Sequence, residues 1–253
     1  MRLSGHHALV TGGGTGIGAA IAKALAADGA KVTLVGRRED KLRETAARIE
    51  GAAIAVADVT SRPQVDASFV AARAAHGPVT ILVNNAGAAS SAPFAEVREQ
   101  DWRSIMAVNL DALLHCCQAA LPDLLAAPSA RIVTIASVAG LKGYAYVAPY
   151  VAAKHGAVGL TRALATEFVK TALTVNAVCP GFTETDMVGA AVQNIQAKTG
   201  RGADEARAEL ARFNPQGRLI TPEEVASAVL WLCLAENGSV TGQAIPIAGG
   251  EIM

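Results

Sequence analysis

Tyr150 and Lys154 stand four residues apart, and Ser137 lies thirteen residues before the tyrosine, at the end of the run Ile135-Ala136-Ser137. On a helix, positions i and i+4 share a face, so a phenol and an ammonium at this spacing can serve one site. The chemistry such a pair offers is proton transfer at an oxygen. A phenol with a reference pKa near ~10 works as acid or base at neutral pH only if its phenolate is stabilised by about 3 pKa units, or ~4 kcal/mol. A cation ~4 Å away supplies about that much at an effective dielectric of ~20, and only ~1 kcal/mol in bulk water. The pair therefore calls for a partly desolvated pocket.

A second group of residues points to an anionic ligand. Thr11-Gly12-Gly13-Gly14-Thr15-Gly16-Ile17-Gly18 follows an apolar run directly and leads into an amphipathic stretch. Glycines between a strand and a helix let the backbone turn tightly, let a pyrophosphate approach main-chain N–H groups, and aim the helix N-terminus at the phosphates. The spacing is TGxxxGxG rather than GxGxxG, and a tight turn with no ligand is the competing explanation. About 20 residues on, where NAD-binding folds carry an acidic residue for the ribose, the sequence reads Val35-Gly36-Arg37-Arg38. A carboxylate would repel a 2′-phosphate, whereas a guanidinium can fork two hydrogen bonds onto it. NADP(H) is thus favoured, with NAD(H) the alternative if Arg37 and Arg38 are only a solvated pair at a helix entrance.

The elements that must position these residues alternate along the chain. Strand patterns fall at His7–Val10, Lys31–Val35, Ala53–Ala57, Thr80–Val83, Arg131–Ile135, Thr174–Val178 and Gln243–Ile247. Between them lie helix-length, Ala-rich stretches at Ile17–Asp28, Lys41–Ile49, Gln64–Ala75, Trp102–Ala120, Pro149–Lys170 and Pro222–Leu234. Such alternation predicts βαβ units and a doubly wound α/β fold, a mostly parallel sheet of about seven strands covered on both faces. No linker-like segment interrupts it, so residues 1–253 are expected to form a single domain. Only Glu184–Leu219, polar and rich in Ala, Arg, Lys and Gln, breaks the rhythm. It follows the sixth strand, beyond whose carboxyl end ligands bind in such sheets, and is expected to be a substrate loop or lid. A surface helical excursion is the alternative.

Composition narrows the function classes. Of 253 residues, 51% are hydrophobic and 17% charged, with 22 basic residues against 22 acidic ones. A chain of this size buries roughly 70–75% of its unfolded surface and needs no disulfide or metal staple. Zero net charge and no basic block longer than two residues argue against nucleic acid or an anionic membrane as partner. No segment reaches the ~18 uninterrupted apolar residues of a membrane span, and no signal-length apolar stretch opens the sequence. Cys116, Cys117, Cys179 and Cys233 lie in apolar runs without metal-ligand spacing, which suits buried thiols in the cytoplasm. The five histidines show no ligand pattern, so no metal is expected. His155 is assigned to helix packing, and Trp102 and Trp231 to core or interface.

Taken together, Thr11–Gly18, Asp58, Asn84-Asn85-Ala86-Gly87, Asn109, Ser137, Tyr150, Lys154 and Pro180-Gly181 resemble the classical short-chain dehydrogenase/reductase family over essentially the whole chain. The resemblance implies a Rossmann-like fold, a homotetramer and an NAD(P)-dependent oxidoreductase. It implies that Tyr150 exchanges a proton with the substrate oxygen, that Lys154 binds the nicotinamide ribose and lowers the Tyr150 pKa, that Ser137 polarises the carbonyl, and that Asn109 holds a water relaying protons through Lys154. Gly12, Thr15, Gly16, Ile17 and Gly18 would line the phosphates; Asp58 and Val59 the adenine edge; Asn85, Ala86 and Gly87 the adenosine ribose. Pro180, Gly181, Thr183 and Thr185 would grip the nicotinamide carboxamide. Two departures stand out: Thr183 where the family usually has Val or Ile, and Ile247-Ala248-Gly249-Gly250 without the usual Asp before Gly-Gly.

The motifs are most similar to the 3-oxoacyl-thioester and polyketide ketoreductase branch, with hydroxybutyrate dehydrogenases next. In the latter a His and a Lys after the serine usually meet the substrate carboxylate; here Ala139 and Val147 hold those places, and a free carboxylate would face an apolar wall unpaired. That wall is expected from Val138, Ala139, Leu141, Tyr144 and Tyr146, with Lys142 able to reach a phosphate or carbonyl at the rim. The expected substrate is a 3-oxoacyl thioester, of CoA rather than of a carrier protein, or an apolar ketone, touching Ser137, Ala139, Tyr144 and Tyr150. An aromatic or cyclic secondary-alcohol dehydrogenase is the alternative activity. A non-catalytic dinucleotide-binding scaffold is the alternative class, and loss of Tyr150 or Lys154 would have favoured it.

Overall fold

Seven short runs of β-branched and aliphatic residues form one parallel sheet. In the computed structural model, which describes residues 1–253, they are β1 (His7–Thr11), β2 (Lys31–Gly36), β3 (Ala53–Val56), β4 (Ile81–Asn84), β5 (Ala130–Ile135), β6 (Leu173–Pro180) and β7 (Ala244–Ile247). Their order is β3-β2-β1-β4-β5-β6-β7, and every neighbouring pair is parallel. The four central strands β1, β4, β5 and β6 are buried along their whole length, whereas the edge strands β3 and β7 are only partly so. Burial on both faces is why the central strands read as continuous apolar runs rather than alternating ones.

Alternate residues of each strand feed two cores, as the period of two requires. Ala8 and Val10 of β1 pack with Ile81, Val83 and Val133 under α1 (Gly16–Ala27), α2 (Glu39–Ala46) and α9 (Pro222–Cys233). Leu9, between them, joins Leu82, Ile132 and Val175 under α3 (Arg62–His76) and α5 (Ala112–Ala126). All four cysteines are free and buried.

Two expectations about helices are corrected. The single helix expected over 102–120 is α4 (Glu99–Met106), a π-helical turn (Ala107–Asp111) and α5, continuous from Glu99 to Ala126. This run has the length and mean hydropathy, 1.3, of a membrane-crossing helix, with 39% of its most apolar window buried. It packs on α3, β4 and β5 and leaves Trp102, Leu114 and Leu125 partly exposed. Trp102 and Trp231 therefore lie on the surface of the chain, not in its core. The excursion 184–219 contains two helices that periodicity did not resolve, α7 (Asp186–Thr199) and α8 (Ala203–Ala211). Gly200, in the left-handed region at φ 71°, ends α7. Val188, Leu210 and Leu219 give this pair a small core of its own, and a bridge between Thr183 and Ile220 closes its base.

The connections place the site. From β1 the chain builds outward through β2 and β3, then returns to the other side of β1 with β4 and continues to β7. The segments leaving β1 and β4 consequently diverge, opening a crevice at their carboxyl ends, where open α/β sheets bind ligands.

Candidate active site

The glycine turn is built for close approach. Gly12 and Gly16 have φ of 64° and 52°, conformations that other residues rarely adopt. A β-carbon on Gly18 would stand 2.3 Å from Gly12 O and 2.5 Å from Asn85 Nδ2, so only hydrogen fits there. Asn85 stitches the turn to the end of β4: its main-chain N–H donates to Thr11 Oγ1 (2.9 Å) and its amide to Thr11 O (2.9 Å) and Gly12 O (3.3 Å). Ala86 N–H donates to the same threonine hydroxyl at 3.0 Å. Thr15 makes no side-chain cap to α1, and no acidic residue occupies the first turn, so the helix N-terminus beside Gly16 and Ile17 presents N–H groups and the positive end of its dipole to the crevice.

Arg37 and Arg38 flank this turn. The Arg37 side chain is 75% exposed, with Nη1 3.8 Å from Asp58 Oδ2. Arg38 donates to Thr15 Oγ1 at 3.2 Å and lies 4.0 Å from Asp186, the first residue of α7. Asp58 accepts from the Thr60 N–H and hydroxyl at 2.9 and 2.8 Å. Partial burial works to raise the Asp58 pKa, but these two hydrogen bonds and Arg37 hold it below the usual carboxylate range. Val59, next to it, is buried, and its carbonyl lies 3.1 Å from His115 Nδ1.

α6 (Ala148–Glu167) begins with Pro149 in its first turn and carries Tyr150 and Lys154 one turn apart. Lys154 is 5% exposed; its ammonium donates to Ile135 O at 2.9 Å and lies 5.6 Å from the centre of the Tyr150 ring. Ser137 leaves β5 in extended conformation, and its hydroxyl accepts from Ala139 N–H at 3.1 Å. Asn109 sits in the π-helical turn, buried, and donates to Ala88 O and Ile105 O at 2.8 and 2.9 Å. Its Oδ1 is buried without a partner and would be 2.8 Å from a β-carbon on Gly87, which in turn would be 3.7 Å from Lys154 Nζ. The four residues thus converge from β5, α6 and the π-turn on one end of the sheet.

Burial dominates the electrostatics of the pair. Burial pushes the Tyr150 pKa up, and the neighbouring Ser137 opposes this only in part. The Lys154 ammonium donates to the Ile135 carbonyl and reaches the phenol through its field from 5.6 Å below the ring centre rather than through a direct hydrogen bond. Burial brings Lys154 itself down to about 8.

The loop after β6 holds the remaining residues. Pro180 ends the strand, and Gly181 N–H donates to Ile247 O at 3.0 Å. Thr183, buried, donates to Gly181 O at 3.0 Å, and Thr185 to Thr183 O at 3.3 Å. The expected apolar wall is revised. Ala139 and Val138 are buried and Tyr144 is half-buried, but Tyr146 is exposed at φ 68° and lines a cavity of about 190 Å³ with Ser90, Asp101 and Pro149. Lys142 is not free: its ammonium lies 3.0 Å from Glu251, which also accepts the Tyr144 hydroxyl. His155 is exposed, not packed. Sequence reasoning missed Phe182, Phe213 and Glu251 as neighbours of Tyr144; the rings lie 6.4 and 5.9 Å from it. These residues come from loops far apart in the chain, and nothing periodic marks them.

A family model described as short chain dehydrogenase matches residues 6–196. The 3-oxoacyl-(acyl-carrier-protein) reductase FabG of Vibrio cholerae is 36% identical over 255 residues, covering 100% of both chains. The D-beta-hydroxybutyrate dehydrogenase of Cupriavidus necator is 35% identical, covering 99% of each. Among solved structures, a variant of actinorhodin polyketide ketoreductase with NADPH superimposes with a TM-score of 0.94 at 36% identity, covering 99% of this chain and 98% of that one.

Burial of Lys154 has a measurable consequence. With a folded pKa near about 8 and an ordinary value near ~10.4 when unfolded, the unfolded chain binds more protons between these pH values, so this residue's contribution to stability rises with pH. Urea unfolding of the wild type and Lys154→Met at pH 7 and pH 10 should show the wild type gaining about 2–3 kcal/mol relative to the variant. A difference that stays constant across this range overturns the buried-ammonium assignment.

Proposed function

The chain belongs to the short-chain dehydrogenase family, and from that premise we propose that it is an NADP(H)-dependent ketoreductase acting on a 3-oxoacyl thioester or an apolar ketone. The observation that carries this reading is the convergence of Asn109, Ser137, Tyr150 and Lys154 beside the glycine-turn crevice. The residues around that crevice fit a dinucleotide: Gly12, Thr15, Gly16, Ile17 and Gly18 at the phosphates, Arg37 and Arg38 at a 2′-phosphate, Asp58 and Val59 at the adenine, Asn85, Ala86 and Gly87 at the ribose. The loop Pro180, Gly181, Thr183 and Thr185 would hold the carboxamide. NADPH held there would supply the hydride for the carbonyl carbon.

The chain's own residues supply the proton. Tyr150, kept protonated by burial, donates its phenolic proton to the carbonyl oxygen as negative charge develops there, and Ser137 hydrogen-bonds the same oxygen. Lys154 contributes a positive charge below the ring that stabilises the phenolate once the proton has left. The unpartnered Asn109 Oδ1, close to Lys154 across Gly87, is placed to hold the water through which the proton is replaced. Names of two similar proteins, a 3-oxoacyl reductase and a polyketide ketoreductase, support reduction as the direction and NADPH as the donor. A free 3-hydroxy acid fits less well, since Ala139 and Val147 offer its carboxylate no partner. The rings of Tyr144, Phe182 and Phe213 favour, as second reading, an aromatic or cyclic secondary alcohol.

We assign the 184–219 excursion to the lid over this site. The exposed apolar side chains Trp102, Leu114 and Leu125 on the α4–α5 run and Trp231 on α9 support a homotetramer with two-fold faces. Burial pushes Cys116, Cys117, Cys179 and Cys233 up to about 11–12, and such unreactive thiols suit the cytoplasm.

Oxidation of NADPH at 340 nm with ketones and 3-oxoacyl thioesters tests the activity, and Tyr150→Phe should slow turnover by ~10³-fold or more, about 4 kcal/mol, with NADPH binding nearly intact by fluorescence titration. Retained turnover in this variant would remove Tyr150 from the mechanism. For the cofactor, kcat/KM should favour NADPH over NADH, and Arg37→Asp should invert the preference by about 1.5–3 kcal/mol, roughly 10- to 150-fold. A wild type preferring NADH, unmoved by that substitution, would leave both arginines as solvated charges. Light scattering at micromolar concentration should give four times the subunit mass of 25.8 kDa; a single subunit mass contradicts the tetramer.

A further inference from the structure

Glu251 lies in the turn after β7, outside every motif that the proposed reaction uses, and its side chain is 3% exposed. Oε1 accepts the Tyr144 hydroxyl and lies 3.0 Å from Lys142 Nζ. Oε2 is buried without a partner, 3.3 Å from where a β-carbon on Gly181 would stand. A buried carboxylate costs several kcal/mol unless paired, so this arrangement depends on Lys142 and Tyr144 staying in place. Burial and the bond to Glu251 both push the Tyr144 pKa up, so its hydroxyl stays a donor.

The turn that carries Glu251 is fixed to the lid segment. Gly249 has φ 57°, and the Asn214 side chain fills the place a β-carbon would take. Asn214 in turn accepts from Gln216 N–H at 2.9 Å and donates to Arg218 O at 2.7 Å. The loops after β5 and β6 therefore meet at this carboxylate, and the 184–219 excursion packs against the turn that carries it. Tyr144 is held at its hydroxyl by Glu251 and by the Lys142 ammonium 5.0 Å from its ring centre, with Phe182 packed against it at 87°. A tyrosine with a free hydroxyl can change rotamer to admit a longer ligand; one tied at its far end cannot without breaking these bonds.

We propose that Glu251 is a positioning residue for substrate selection: it clamps Tyr144 so that the wall made with Phe182 and Phe213 has one depth, and the site takes short 3-oxoacyl groups in preference to long ones. This rests on the ketoreductase reading of the site. The test compares kcat/KM with NADPH for the 3-oxobutanoyl and 3-oxodecanoyl thioesters of N-acetylcysteamine. The wild type should prefer the short chain, and the preference should fall at least ~10-fold in Glu251→Leu, through KM rather than kcat. Tyr144→Phe, which removes one oxygen and keeps the ring, should lose a similar factor, and the double variant should lose no more than about twofold beyond either single one, because both break the same bond. Hydrogen exchange should quicken over residues 141–147 and 205–219 in Glu251→Leu. A wild type preferring the long chain, unchanged selectivity in a folded Glu251→Leu, or additive effects in the double variant overturn the clamp. Should Glu251→Leu not fold, Tyr144→Phe decides by the same ratio. A wild type that reduces neither thioester with either nicotinamide cofactor overturns the ketoreductase reading instead, and hydrogen exchange then decides the clamp alone.

Discussion

A parallel strand whose two faces are both buried can release polar groups only at its ends. In this chain all seven strands are parallel, so the residues leaving their carboxyl ends are delivered to the same edge: the glycine turn after β1, Arg37 and Arg38 after β2, Asp58 after β3, Asn85 after β4, Ser137 after β5 and Gly181 after β6. The sheet gathers the site without any of these segments having to find the others. What remains is to hold them against one another, and here the polar contacts are few and specific. Asn85 and the Thr11 hydroxyl join the β1 and β4 exits, and Lys154 joins α6 to the last carbonyl of β5.

The second of these joints is also the costliest. Lys154 places an ammonium where water hardly reaches, and the structure answers with one carbonyl bond and no carboxylate within salt-bridge distance. Burial without a counter-charge lowers its pKa. A cation held this way retains much of its field, since no counter-charge cancels it, and a low-dielectric setting lengthens the reach of that field. The same burial that weakens the lysine as a stabilising element strengthens it as an electrostatic one. It also explains why the phenol one turn earlier remains neutral at rest: desolvation acts on both groups, and it favours the uncharged form of each.

Features set by local chemistry were legible in the sequence. The seven strands fall within a residue or so of the observed ones at most ends, because double burial writes itself as apolar runs. The glycine turn, with two positive φ angles and a position where only hydrogen fits, follows from residue types alone. The helix 99–126 was only half legible: an apolar stripe shows that a helix exists, but the extra residue of a π-turn shifts phase without changing composition. α7 and α8 escaped because their buried residues are too few to make a stripe, with Val188 alone buried in α7 and Ala206 and Leu210 in α8. The contact of Tyr144 with Glu251, Phe182 and Phe213 had no local signal at all. It joins positions up to 107 residues apart and arises only once β6, β7 and the excursion are packed together.

The π-helical turn at Ala107–Asp111 sets a limit on how this chain can vary in length. Each residue advances an α-helix by about 100°, so one residue more or less in a regular stretch rotates everything downstream by that angle, whereas a π-turn takes up one extra residue and keeps the faces on either side in line. With the turn present, Asn109 faces Ala88 and Ile105 while Leu113, Cys116, Cys117 and Ala120 face the sheet. Deleting one residue within 107–111 would close the wide turn into an ordinary α-helix, leaving the apolar face of α5 on the sheet but removing the widened turn in which Asn109 is held against Ala88 and Ile105. The same deletion a turn or two further along would meet no such slack and would swing the rest of α5 about 100° away from the sheet. Length in this run is therefore forgiving at one place only, and that place is occupied by Asn109.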